Sequence, residues 1–122
     1  MIRGPDATWR AALAEGRLLL QRARTSGTVI FPPRLMEPGA GERDLEWIEA
    51  SGLGTVYATT VIGHKPPASA SNVVLVDLDE HVRVMSRVDG IAAMDVVIGM
   101  RVRARIIIEA DAPVLVFEAL QP

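Results

Sequence analysis

Two histidines, a closely spaced pair of aspartates and a set of alternating arginines are the side chains here whose types and spacing could do chemistry. His81 directly follows Asp79 and Glu80, and a carboxylate beside an imidazole is the pairing a general base needs. The same tripeptide lies between two apolar runs, where it reads more simply as a solvated turn. His64 precedes Lys65, Pro66 and Pro67 in a loop, where it could meet a ligand or a partner, although loop polarity alone accounts for it. Asp77 and Asp79 lie two apart and could hold a cation, but no further acidic residues follow at a calcium-loop spacing. There is no Gly-rich phosphate loop with its lysine and no Gly-x-Ser-x-Gly elbow. The absence of cysteine excludes disulfides, a thiolate zinc site and a cysteine nucleophile. No catalytic set nominates itself, and the expectation is a protein that is not an enzyme.

The arginines sit on two strands that alternate cleanly. Val82, Val84 and Val88 face one way, and Arg83 and Arg87 the other. Met100, Val102, Ala104, Ile106 and Ile108 point inward, and Arg101, Arg103 and Arg105 outward. One apolar and one solvated face fit the wall of an antiparallel barrel. Barrels that bind single-stranded nucleic acid join a basic groove to aromatic stacking platforms. With Trp9, Phe31 and Trp47 assigned to the appendage, Tyr57 is the one barrel-strand aromatic besides the terminal Phe117, and the formal net charge is −2, so nucleic acid is disfavoured. Most of these arginines read as a soluble outer wall that blunts sheet edges.

The elements that must position these residues follow from the apolar pattern. Asp6 is a candidate N-cap for a short helix over residues 7–15, with Trp9 and Leu13 on one face and Gly16 as the stop. Short strands at residues 18–21 and 29–31, separated by Thr25-Ser26-Gly27 and followed by Pro32-Pro33, make a knuckle too small to own a core. From Leu45 the pattern turns to longer strands: 45–49 running through Gly54 into 55–62, then 73–78, 82–88, 100–108 and 114–120. Residues 91–97 allow about one helical turn before Gly99. Five strands with a short helix between the third and fourth give the order of an OB-fold barrel. The expected organisation is mainly β: a helix and knuckle module over 1–43, then the barrel over 44–122. At 122 residues and 49% hydrophobic, the chain can fill one core plus a small appendage. No apolar run approaches the roughly 18 to 20 residues of a membrane helix, and residues 1–6 show no secretory h-region, so a cytoplasmic, soluble protein is expected.

The order of motifs resembles a known family: acyl-CoA-associated OB-fold proteins with an N-terminal rubredoxin-like zinc ribbon, long catalogued as a domain of unknown function. Trp9, Leu13, Gly16 and Leu18-Leu19-Leu20-Gln21-Arg22 resemble its opening helix and first ribbon strand. Phe31-Pro32-Pro33-Arg34 resembles its most distinctive motif. Trp47 and Ser51-Gly52-Leu53-Gly54-Thr55-Val56-Tyr57 resemble the junction into the barrel. Val76-Asp77-Leu78-Asp79-Glu80, Met85-Ser86-Arg87-Val88 and Ile98-Gly99-Met100-Arg101-Val102 complete it. Relatives with a working ribbon carry a Cys-x-x-Cys pair on each of two knuckles. The corresponding positions here hold Ala23, Ser26, Glu37 and Ala40, so the resemblance implies a ribbon whose zinc ligands are gone. We expect no zinc and no other cofactor. Losing a structural zinc removes on the order of 10 kcal/mol of binding-coupled folding energy, so the knuckles must lean on the helix and barrel.

The resemblance also implies a role: a non-catalytic partner of acyl-CoA enzymes of the thiolase or hot-dog hydratase class, with acyl-CoA as ligand. The candidate ligand or partner residues are Phe31, Pro32, Pro33, Arg34, Tyr57, His64, Lys65 and Arg87. Phe31 would supply apolar area, the prolines a preset backbone, and the arginines bidentate contact with coenzyme A phosphates or a partner's carboxylates. Packing of the ribbon on the barrel explains Phe31 and the prolines equally well. A single-stranded nucleic-acid binder and a stand-alone structural module that dimerises are the competing readings.

Overall fold

Pro5, not the expected Asp6, sets the start of the helix. The computed structural model describes residues 4–39, 41, 43–63 and 70–120. In it α1 (Pro5–Ala14) is capped by Gly4 in an extended conformation, with Pro5 in the first turn. Proline suits that place because its φ is already helical and an N–H there has no intrahelical acceptor. Asp6 instead pairs with Arg10 one turn on, at 2.9 Å. The helix ends as expected at Gly16, whose φ of 78° needs no Cβ. The Gly16 N–H bonds the Leu13 carbonyl and the Arg17 N–H the Ala12 carbonyl, which satisfies the last open acceptors.

Three strands follow as an antiparallel front sheet, β1 (Leu19–Ala23), β2 (Val29–Ile30) and β3 (Leu45–Glu49), in the order β2-β1-β3. This corrects the reading that ran residues 45–49 into the barrel. Leu19 pairs with Glu49 and Ala23 with Leu45, so β3 belongs to the front sheet. The physical reason lies just beyond it. Gly52 at φ 80° lets the chain bend between β3 and the next strand. The bend is fixed by the Ser51 N–H donating to Glu80 at 2.7 Å and the Ala104 N–H donating to the Gly52 carbonyl.

The second sheet contains β4 (Leu53–Ile62), β5 (Ser71–Leu78), β6 (Arg83–Ser86), β7 (Val88–Asp89), β8 (Arg101–Glu109) and β9 (Ala112–Ala119), in the order β6-β5-β4-β8-β9-β7. The strands at its two ends flank Arg87 in one continuous stretch. They are one bent strand, and the sheet is therefore a closed five-stranded barrel. Closure runs through β7, parallel to β9, with Val88 opposite Phe117. It removes the exposed edges that an open sheet would carry. A 3-10 turn, Ala93–Asp95, stands where the helical turn was expected.

The core is built from the alternation the sequence shows. Val74, Val76 and Leu78 of β5, Val56 of β4, Val102 of β8 and Phe117 of β9 are all buried, and Leu13, Leu18 and Leu20 of the front module join the same cluster. The front module thus borrows the barrel's core. Gly54 is forced by closeness, since a Cβ there would lie 2.7 Å from the Val76 side chain and 2.8 Å from the Asp77 carbonyl oxygen. Ile108 is the exception to the inward set and lies exposed. Pairing of β4 with β8 is confined to Leu53–Thr55 and Arg101–Arg103, so the far end of β8 pairs with β9 alone and runs off the barrel wall. That hairpin closes at Ala110 and Asp111, both at positive φ, the two-residue turn whose twist suits a hairpin.

Candidate functional site

Gln21 organises the segment that the sequence singles out. It is a polar side chain on β1 with only 4% exposure. Its Nε2 donates to the Arg34 carbonyl at 2.8 Å, and its Oε1 accepts from the Arg34 N–H at 2.6 Å. Both backbone groups of Arg34 are thereby held, as a neighbouring strand would hold them. Phe31, preceding a cis peptide to Pro32, packs against Trp9 with ring centroids 5.6 Å apart. Phe31 therefore helps fasten the segment to α1, while Pro32 and the Arg34 side chain are exposed. Nothing in the sequence pattern pointed to Gln21, although an amide at a strand position that should be apolar was the available signal.

The four positions at which the family resemblance implies lost zinc ligands do not form a donor set here. Ala23 is fully buried and offers only a methyl group. The Ser26 hydroxyl donates to Glu37 at 3.2 Å, and Glu37 is itself buried. Ala40 lies outside the described residues. One hydroxyl and one carboxylate do not fit tetrahedral zinc. Among the described residues no three His, Cys, Asp or Glu side chains converge to hold a metal. The turns that would present the ligands are nonetheless formed, with the Gly27 N–H bonding the Ala23 carbonyl at 2.8 Å and the Gly41 N–H the Glu37 carbonyl at 2.9 Å.

Around the front module, a cleft of about 360 Å³ separates the ribbon from the barrel. Phe31, Arg34 and Glu37 line one wall, and His81, Val82 and Arg83 the other. Arg83 lies over the Tyr57 ring at 3.5 Å from its centroid and is held there by Asp77 at 2.6 Å. Of the candidate residues, the structure thus gathers Phe31, Pro33 and Arg34 on the front module and reaches Tyr57 through Arg83. Arg87 is not part of this group. It lies near the other end of the bent strand, clamped by Glu109 at 2.6 Å and Asp89 at 2.8 Å. Those hydrogen bonds, Glu109's first, raise its pKa further above the ordinary guanidinium range, so it stays charged and its charge is balanced by the two carboxylates. His64 and Lys65 lie outside the described residues.

The acidic and basic clusters resolve into pairs. Arg101 grips Asp79 with two nitrogens at 2.8 and 2.9 Å and holds its carboxyl below the ordinary range. Glu80 accepts from Ser51. Beside these committed carboxylates, His81 sits exposed at φ 68°, its N–H bonding the Leu78 carbonyl. The trio is a turn, as read from the sequence. Arg103 and Arg105 share Glu118 at 3.2 and 4.0 Å. All five outer-wall arginines thus have a carboxylate near them, and Tyr57 has its face covered by one of them.

Comparison with known proteins adds independent findings. Residues 47–106 match the family model of the ChsH2 C-terminal OB-fold domain. A probable enoyl-CoA hydratase alpha subunit of Thermomonospora curvata is 35% identical over 105 residues, covering 83% of this chain. The chain spans about a third of that relative's length, 33%. A DUF35 domain-containing scaffold protein of Methanocaldococcus jannaschii is 30% identical over 80% of this chain and 72% of its own. Among solved structures, one described as the Ltp2-ChsH2(DUF35) aldolase superposes with a TM-score of 0.83 and 33% identity, over 97% of this chain and 96% of the other. A Sulfolobus solfataricus protein of the DUF35 family shares the fold at TM-score 0.69 and 14% identity, over 93% and 84% of the two chains.

Proposed function

The chain belongs to the DUF35 family of acyl-CoA-associated OB-fold proteins, and from that premise we propose that it is a non-catalytic accessory subunit of an acyl-CoA-processing enzyme, contributing contacts to acyl-CoA. The observation that carries this reading is the end-to-end superposition, front module included, on a chain of the Ltp2-ChsH2(DUF35) aldolase. One relative is named for an enoyl-CoA hydratase and one solved structure for an aldolase, so the proposed partner is defined by an acyl-CoA substrate and not by one reaction type.

Surface features support a partner. An apolar groove of about 520 Å³ runs between α1 and the barrel, lined by Trp9, Leu13, Phe31, Met85, Pro113 and Leu115. Met85 is 73% exposed at its rim, and Met94 and Ile98 are exposed on the loop around the 3-10 turn. Exposed methionine and aromatic surface suits a site that is covered in an assembly. The carboxylates beside His81, Asp79 and Glu80, are committed to Arg101 and Ser51, which favours an accessory over a catalytic role.

The test is affinity purification of the tagged chain from its native cells. The expected result is recovery of a stoichiometric enzyme acting on acyl-CoA. Recovery of no such enzyme, together with calorimetry showing no acyl-CoA binding with or without candidate partners, would overturn the proposal. The nucleic-acid reading predicts strong, salt-dependent oligonucleotide affinity. The pairing of the outer arginines argues against it, and anisotropy at low salt distinguishes the two. No helix among the described residues is long and apolar enough to cross a membrane.

A further inference from the structure

Every described arginine except Arg34 and Arg43 has a carboxylate oxygen within 4.0 Å. The two exceptions line the same hollow, a concavity of about 190 Å³ on the front module. Among the described residues no aspartate or glutamate lines it; Gln21, Leu45 and Trp47 form part of its walls. We propose that this hollow binds the phosphate monoester of an organic ligand.

Three observations point to a phosphate. The first is charge: two guanidiniums without a carboxylate partner among the described residues share one concavity, in a protein whose other described arginines are paired. A single carboxylate would balance one of them, whereas a phosphate dianion balances both and accepts the forked hydrogen bonds that guanidinium presents. The second is preorganisation. Gln21 holds the Arg34 backbone on both sides, and Arg43 stands at the entry to β3, its carbonyl accepting from the Leu45 N–H. Little freedom of the Arg34 backbone remains to be lost on binding. The third is space. Trp47 gives the hollow a flat apolar wall, and a second, larger hollow of about 580 Å³ shares Pro5, Arg34 and Leu35 with it and continues along residues 36–39. An organic arm extending from the phosphate has room there, and Leu35, 76% exposed, offers it apolar contact.

This inference stands on geometry and needs no partner enzyme, so its failure would leave the accessory role untouched. The experiment titrates the full-length chain at low salt with inorganic phosphate, adenosine 3′,5′-bisphosphate and pantetheine, followed by calorimetry and by phosphorus NMR. Both phosphates should bind and pantetheine alone should not. Arg34→Gln and Arg43→Gln should each weaken binding by about tenfold or more, while Arg105→Gln on the outer wall changes it by less than about twofold. Tighter binding of the bisphosphate assigns the site to an organic phosphate; equal affinities assign it to the free anion and remove the organic arm from the proposal. Neither guanidinium makes a bond within the described residues, so both variants should fold, and their melting curves check this. The proposal is overturned if neither phosphate binds at about ten millimolar, if Arg105→Gln weakens binding as much as Arg34→Gln does, or if an acidic peptide binds in place of both phosphates.

Discussion

Replacing Gln21 by methionine keeps the length and volume of a side chain that is 4% exposed and removes only its hydrogen bonding. Two bonds vanish, the Nε2 donation to the Arg34 carbonyl at 2.8 Å and the Arg34 N–H donation to Oε1 at 2.6 Å. Each bond is worth about 1 kcal/mol net, and each half-buried backbone group left without a partner costs about as much again, giving roughly 2 to 4 kcal/mol in all. An unfolding entropy of about 2.1 cal/mol/K per residue gives this chain about 0.26 kcal/mol/K, so the midpoint should fall by roughly 8 to 16 °C. If the segment loosens locally instead of unfolding the whole, the Arg34 amide should exchange about tenfold or more faster while the core amides do not. Calorimetry and hydrogen exchange on the same variant therefore bracket both routes. A midpoint within about 2 °C of the parent, with the Arg34 amide as protected as before, would refute the claim that Gln21 holds the segment.

Three further outcomes are expected. Gly54→Ala should destabilise the chain by at least about 2 kcal/mol or prevent its folding, because the added methyl meets Val76 and the Asp77 carbonyl; a wild-type melting curve would show that the close approach is not real. Chelator should leave the midpoint unchanged and elemental analysis should find no zinc, whereas stoichiometric zinc would refute the closure of the knuckles by hydrogen bonds. Arg101 and Arg22 lower the folded-state pKa of Asp79 and Glu46, and Arg87 that of Glu109. The stability these carboxylates contribute is present above their ordinary values of 3.8 and 4.5 and is lost as pH falls through the lower folded values, so the midpoint should be flat near neutrality and decline only in that acid range. In Arg101→Gln the part of that decline due to Asp79 should disappear.

The barrel was legible because its alternation is strict. Val82, Val84 and Val88 and the run from Met100 to Ile106 each put one apolar face inward, and that parity survives in the structure. Leu45–Glu49 was misplaced because its residues are as strand-like as those of β4, and local propensity cannot say which sheet a strand joins; Gly52 and the Ser51–Glu80 contact decide it. Ile108 misled for a related reason, since alternation continues after the barrel wall has ended. The site was legible only in part. Phe31 through Arg34 stood out as a motif, but Gln21, thirteen residues upstream of Arg34, is joined to it by tertiary hydrogen bonds that no local spacing encodes. The isolation of Arg34 and Arg43 was equally hidden. In sequence every arginine looks alike, and only the placement of carboxylates separates the paired ones from the two without a carboxylate partner among the described residues.

The front module also shows what a structural metal had to supply. The turn at each knuckle is set by a glycine at positive φ and a backbone hydrogen bond, at Gly27 and at Gly41, and needs no ion. What remains is the link between knuckles, which zinc makes with four strong bonds. Here it is distributed over the Ser26–Glu37 bond, the paired bonds of Gln21 to Arg34, and the burial of Leu18, Leu20 and Phe31 against the barrel and helix. A link of this kind depends on the barrel, since Leu18 and Leu20 have no core of their own. It also constrains residues 31–37, which display Arg34. The geometry these contacts fix is therefore that of the segment displaying Arg34.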